Sequence, residues 1–169
     1  MLVIASEGYQ PIEYSVPKKI LDHSGLTVIT ASDKAGTATA SDGTTTEVDI
    51  SLDQVSVKDF DALFFIGGPG SMDHLDNKTS YNLLKKAAEA NKPFGAICAT
   101  VRILAKSGVI MGKKVTGWNS DNKLADILEQ SGSHFIRKDV VVDGNIVTAT
   151  GPSAAQEFGA KILSVLAQK

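Results

Sequence analysis

At 169 residues the chain is long enough for one well-buried core and too short to divide readily into two, since domains commonly run to roughly 100–200 residues. Hydrophobic residues make up 43% and charged residues 21%, an ordinary globular composition that excludes the disordered and membrane classes. A formal net charge of −2, with acids and bases interspersed, leaves no basic stripe for a phosphate backbone, so nucleic acid is not an expected partner.

The elements read in chain order as alternating strands and helices. "MLVIAS" is a short continuous apolar run, the pattern of a strand covered on both faces, and it ends in the polar turn "EGYQP". It lacks both the basic flank and the length of a signal peptide, and no apolar run nears the roughly 18–20 residues of a membrane span, so no membrane association is expected and the expected location is the cytoplasm. Ile12, Val16, Ile20 and Leu21 follow at helical spacing up to a stop at Gly25, with Pro17 expected to kink that helix or remove one of its hydrogen bonds. "LTVITAS" is the second strand. The Thr-rich stretch from Gly36 to Ile50 reads as a hairpin with a type I′ turn at Asp42-Gly43. "ALFFIGG" is a third buried strand, "YNLLKKAAEANK" an amphipathic helix, and "FGAIC" a fourth strand running into helical "ATVRILAKSG". "LADILEQSG" is helical, "DVVVDGNIVTAT" is a hairpin turning at Asp143-Gly144, and "SAAQEFGAKILSVLAQ" closes the chain as an amphipathic helix. Buried strands alternating with helices over residues 1–169 predict a single α/β/α sandwich around a mainly parallel sheet.

That architecture gives meaning to the single cysteine, Cys98, which has no partner for an internal disulfide. Ligands of open parallel sheets gather at the carboxyl ends of the strands, and "FGAIC" places Cys98 at such an end with a helix following. A free cysteine is often just a small buried hydrophobe. Here the small neighbours Gly95, Ala96 and Ala99 suit a strained strand-to-helix turn bearing a nucleophile, and the helix start is expected to lower the thiol pKa below its free value of about 8.5. "FFIGGPGS" ends the third strand at the same sheet edge. Taken alone it reads equally as a tight turn, but the amides of Gly67, Gly68 and Ala99 could form an oxyanion hole. No Walker lysine follows, and the run is not a dinucleotide fingerprint. Glu13 sits where a helix start favours an acid for dipole reasons alone, yet the first strand's end borders the same crevice, so a protonated Glu13 could donate to the sulfur or act as general acid and base.

Four ordered segments, "IEYSVPKKILDHSG", "DALFFIGGPGS", "AICATVRILAKSGVIMGKKVTGW" and "VVVDGNIVTATGPSAAQEFG", resemble the ThiJ/PfpI superfamily across essentially the whole chain. The resemblance implies a flavodoxin-like sandwich, a homodimer, no cofactor and no metal. It also implies a reactive cysteine on a nucleophile elbow at Cys98, a first-helix glutamate at Glu13 hydrogen-bonded to it, and a backbone amide site at Gly67-Gly68.

Two departures bear on function. PfpI-type peptidases carry a histidine directly after the cysteine, where this chain has Ala99, and other members carry one where Trp118 stands in "VTGWNSD". His23 and His134 fall near helix ends and read as solvated or capping residues. His74, in "GSMDHLD", reads as a surface residue, with the crevice of its own or a partner subunit as the alternative. Three functions are compatible with this pattern: a glyoxalase or deglycase-like enzyme acting on small reactive carbonyls through Cys98 and Glu13; a peptidase or amidase acting on peptide-like substrates, weakened by the absent histidine; and a non-enzymatic oxidation sensor or chaperone in which Cys98 becomes a sulfinate.

Overall fold

Apolar runs too short for helices and flanked by turns can bury both faces only as central strands, and the runs beginning at Leu2, Leu63 and Phe94 do so. In a computed structural model, which describes residues 1–168, the order is β1 (Leu2–Ile4), β2 (Glu7–Tyr9), α1 (Pro11–His23), β3 (Thr30–Ser32), β4 (Gly36–Ala40), β5 (Thr45–Val48), β6 (Ile50–Ser51) and β7 (Leu63–Phe65). There follow α2 (Ser71–Leu75), α3 (Lys78–Glu89), β8 (Phe94–Ile97), α4 (Val101–Ser107), β9 (Lys114–Val115), α5 (Leu124–Gln130), β10 (His134–Phe135), β11 (Val140–Asp143), β12 (Ile146–Ala149) and α6 (Ala155–Leu166). The main sheet runs β11-β12-β8-β7-β1-β3-β6, parallel throughout except for the edge strand β11. Its order β3-β1-β7-β8-β12 is the flavodoxin-like winding, in which the chain leaves β1 to one side and later returns to the other. A crevice therefore opens beyond the carboxyl ends of β1 and β7. This is the α/β sandwich the sequence predicts.

Two helical groups cover the sheet: α1 packs on α6, while α4 packs against both α3 and α5. Side chains such as Phe64, Phe65, Phe94 and Phe158 are fully buried between layers, Phe158 meeting Phe64 edge-on at 5.9 Å. The approach of α6 to α1 requires Gly159, where a Cβ would stand 2.9 Å from Ile20 Cδ1 and 3.0 Å from Pro17 Cα. Pro17 does not interrupt α1, which runs unbroken to His23 with Pro17 buried on this seam.

Several local expectations change. The turn "EGYQP" contains β2, which joins β4 and β5 in a separate three-stranded sheet anchored by Tyr9 Oη donating to Thr46 Oγ1 at 2.9 Å. The hairpin at Asp42-Gly43 forms, but only Gly43 takes a positive φ, 86°, so the turn is not type I′; Asp42 Oδ1 instead accepts from the Thr44 amide at 2.9 Å. The β11–β12 hairpin forms, turning at Gly144-Asn145, one residue later than read, because Asp143 still pairs with Ile146. The second strand keeps only Thr30–Ser32, and α3 begins three residues before Tyr81 because Asn77 caps it, Oδ1 accepting from the Ser80 amide at 3.1 Å. Strands β6, β9 and β10 are two residues each, too short to leave a periodic signal.

Candidate active site

The chain leaves β8 at Ile97 and turns at Cys98 with φ of 66°, a left-handed conformation that costs a non-glycine residue about 1–3 kcal/mol and persists only where its surroundings enforce it. The enforcement is visible. Thr100 Oγ1 is buried and donates to Ile97 O at 2.7 Å and Phe65 O at 3.1 Å, tying the elbow to β7, while the Trp118 amide donates to Cys98 O at 3.3 Å. Cys98–Thr100 form one 3-10 turn before the seven-residue α4.

Gly67 stands between the two side chains that matter. A Cβ there would fall 2.5 Å from Cys98 Cβ and 2.6 Å from Glu13 Oε2, so glycine alone lets the thiol and carboxyl approach each other. Glu13 is fully buried in the first turn of α1, whose start is set by Gln10: its side chain caps the Ile12 amide at 3.2 Å and its own amide donates to Gly67 O at 2.8 Å. Glu13 Oε2 accepts from the Gly67 amide at 3.0 Å, and Oε1 has no partner among the described residues. Burial raises the Glu13 pKa to about 7, against the opposing pull of the Cys98 thiol and the Gly67 amide.

The thiol departs from expectation. Burial, reinforced by the neighbouring Glu13 charge, pushes Cys98 up to about 12, although the amides of Ala99 and Gly68 are directed at the sulfur and pull the other way. The expected lowering fails because the elbow places the sulfur against a carboxyl in a desolvated cleft, and a single 3-10 turn followed by a short helix supplies too little dipole to offset both. Above about pH 7 the two groups hold one proton between them. Gly67 is also reassigned: its amide is committed to Glu13, leaving Gly68 and Ala99 as the amides facing the sulfur.

These groups line a cavity of about 480 Å³ together with Met72, Arg102, Trp118 and Pro152. Trp118 and Pro152 also border a polar trough of about 530 Å³ that carries Arg137 and Lys138, so the two spaces adjoin. His74 is not part of the cavity. Its Nδ1 lies 2.9 Å from Asp33 Oδ2 and 3.2 Å from Ser6 Oγ, a half-buried cluster joining α2 to the ends of β1 and β3. Burial alone would raise the Asp33 pKa, but bonds from the Ser6 amide and hydroxyl and from His74 hold it below the ordinary value. His23 and His134 are exposed, His23 Nδ1 lying 2.7 Å from Lys19 O in the last turn of α1. No cluster of three or more His, Cys, Asp or Glu side chains among the described residues is placed to hold a metal ion, and no helix among them is long and apolar enough to cross a membrane.

Sequence reasoning missed Thr100 and Arg102. Arg102 lies four residues after Cys98, one helical turn on, and that spacing was the available signal. Its Nη2 donates to both carboxylate oxygens of Asp121, at 2.7 and 2.8 Å, and its guanidinium lies 5.2 Å from the centre of the Trp118 ring.

Known proteins of similar sequence and fold place the chain in a family. A deglycase of Thermococcus kodakarensis is 32% identical over 152 residues, 90% of each chain. Protein dj-1beta of Drosophila melanogaster is 33% identical over 170 aligned residues, 99% of this chain and 89% of its own. The crystal structure of a ThiJ/PfpI domain protein from Brachyspira murdochii superposes with a TM-score of 0.93 at 28% identity, covering 99% of this chain and 95% of its own. With the DJ-1/PfpI family model matching residues 1–165, the chain belongs to the DJ-1/PfpI family.

Proposed function

We propose that the protein is a cysteine-dependent enzyme acting on small reactive carbonyl compounds, glyoxalase- or deglycase-like, with Cys98 as nucleophile and Glu13 as its proton acceptor and donor. The observation that carries this reading is the pairing itself: a fully buried carboxyl, its pKa raised to about 7 by burial, meets the sulfur of a strained elbow across Gly67, the one residue small enough to let them approach. The deglycase name of the Thermococcus relative points the same way.

For a vicinal dicarbonyl such as methylglyoxal, the Cys98 sulfur bonds to the aldehyde carbon while its proton passes to Glu13 and the carbonyl π pair moves to oxygen. The Gly68 and Ala99 amides, directed at the sulfur, border the position of that oxygen. Glu13 returns the proton, giving a hemithioacetal, and then removes the hydrogen from the same carbon. The electron pair shifts toward the second carbonyl, and protonation of the second carbon, with the first carbon's hydroxyl proton passing to the second oxygen, leaves a thioester of a 2-hydroxy acid. Water cleaves the thioester and restores the thiol. One carbon is oxidised, its neighbour is reduced, and one water is consumed, so the chemistry calls for no external oxidant or cofactor.

The test is methylglyoxal consumption with chromatographic detection of lactate. Wild type should form lactate, Cys98→Ser should form none, and Glu13→Gln should fall by roughly 10²-fold or more. Undiminished turnover in Cys98→Ser would sink the assignment. The same reading carries a homodimer, with half-exposed Ile12 on α1 available to a second copy; sedimentation at micromolar concentration checks it.

A further inference from the structure

A three-carbon dicarbonyl fills only a fraction of the Cys98 cavity, and no step of its chemistry uses the adjoining trough of about 530 Å³. Arg137 and Lys138 line that trough from the link between β10 and β11. Two bonds from distant residues fix the link: buried Thr116 donates through Oγ1 to Lys138 O at 2.8 Å, and the Thr150 amide donates to Asp139 O at 2.9 Å. The two charges themselves are not spent on the fold. Both residues are exposed and neither forms an ion pair among the described residues, whereas Arg102 nearby is neutralised by Asp121. Asp139 is the only carboxylate in the lining, so the trough keeps a positive excess. Gly151, Pro152 and Ser153 also line it, where the 3-10 turn Pro152–Ala154 leads into the twelve-residue α6, and a helix start favours an anion. Trp118 and Pro152 belong to both spaces, so one molecule can extend from the sulfur into the trough.

We infer that the trough is an anion subsite for the far end of the molecule that Cys98 attacks, holding a carboxylate or phosphate whose connecting chain runs past Trp118 and Pro152. This rests on Cys98 as the reacting group and moves the substrate class from a bare small carbonyl to one that carries a remote acid. A guanidinium offers paired N–H donors to either anion, and an ammonium adds a mobile point charge. Contacts at the remote end hold the reacting carbon at the sulfur, which is how binding energy away from the chemistry serves it. The position of the acid along the molecule matters. Above about pH 7 the Cys98–Glu13 pair carries one negative charge, so an acid next to the reacting carbon is repelled, while the same acid placed in the trough is attracted.

Because Cys98 is the only cysteine, alkylation read by intact mass reports this site alone and needs no turnover. Maleimides bearing a carboxylate on a tether of one, three or five methylenes are compared with their neutral N-methylamides at equal tether length. At low salt and pH 8 the acid-to-amide rate ratio on wild type should lie below one for the shortest tether and rise to about fivefold for a longer one, the upper worth of an exposed ion pair. Salt at about 0.5 M should flatten that maximum. Arg137→Gln and Lys138→Gln should each lower it, and the double variant should abolish it. Lys85→Gln, exposed on α3 and outside both spaces, changes the net charge equally and should keep it. A ratio that never exceeds one, a maximum that survives in the double variant, or an equal fall in Lys85→Gln would overturn the subsite. A phosphonate in place of the carboxylate identifies the natural end group: a higher ratio points to a phosphate ester and a lower one to a carboxylic acid, both supporting the subsite. A clear maximum with no methylglyoxal turnover keeps the subsite and removes the carbonyl reading, whereas turnover with flat ratios does the reverse.

Discussion

Glu13 reaches Cys98 from the first turn of α1, and with Glu13 fully buried and Cys98 only partly exposed, the pair gives up its first proton at about 7 and its second only near 12. With Glu13 as base, kcat/KM for a dicarbonyl should rise with pH through a midpoint near 7 and then level off; a flat profile from pH 5 to 9 would remove Glu13 from the proton path. Glu13→Gln takes away the charge that helps hold the thiol up, so thiolate absorbance near 240 nm should show a lower midpoint in the variant than in wild type. A higher midpoint in the variant would mean that the native proton resides on the carboxyl. The same burial has a stability consequence. Folded Glu13 binds its proton more tightly than the unfolded chain, which releases it near 4.5, so the native state is progressively destabilised as pH rises from about 4.5 to about 7. At roughly 1.4 kcal/mol per pKa unit the loss is on the order of 3 kcal/mol. Glu13→Gln should lessen that decline in urea melts across this window.

Among the elements, the seam between α1 and α6 and the elbow between β8 and α4 fix where the site sits. Gly159 lets α6 approach Pro17 and Ile20 so closely that an added methyl meets backbone as well as a flexible side-chain end. Gly159→Ala gains about 1 kcal/mol of helix propensity but forces the helices apart, and overpacking of this kind costs about 1–3 kcal/mol. A net lowering of the urea midpoint is expected, and because α1 carries Glu13, the activity should fall with it. An unchanged or raised midpoint would show that the seam is loose. At the elbow, Thr100→Val removes a buried hydroxyl bonded to Ile97 O and Phe65 O while keeping its volume. A loss of about 1–3 kcal/mol is expected, with slower alkylation of Cys98 as the turn relaxes. Periodicity and Gly/Pro punctuation revealed the long elements, including both hairpins. The two-residue strands β6, β9 and β10 and the short helix α2 escaped, because nothing within so few residues distinguishes them from loop.

For the molecule as a whole, the flavodoxin-like winding brings the ends of β1, β7 and β8 to one crevice and sends each remaining candidate base elsewhere. His74 is held by Asp33 and Ser6, while His23 and His134 face solvent. Without an imidazole in the cavity, protonation of a leaving amine is unassisted, and such help is commonly worth roughly 10²–10⁴-fold. Peptide-amide reporters should therefore be cleaved poorly, and His74→Ala should change neither that rate nor methylglyoxal turnover. Brisk peptide cleavage lost in Cys98→Ala would favour the peptidase reading.

Residue order along the chain was enough to determine the α/β class, the elbow at Cys98, the glycine turn at Gly67-Gly68 and Glu13 as the companion carboxyl. Strand ends, helix starts and small residues are local signals, and the parallel winding they imply leaves one place for them to meet. Which group keeps the proton, which amide faces the sulfur and which is spent on Glu13, and the pairing of Arg102 with Asp121 and Trp118 depend on burial and on contacts between residues distant in the chain. Desolvation is a property of the assembled cavity, so a cysteine that local context marks for a lowered pKa acquires a raised one when the tertiary fold closes a carboxyl against it.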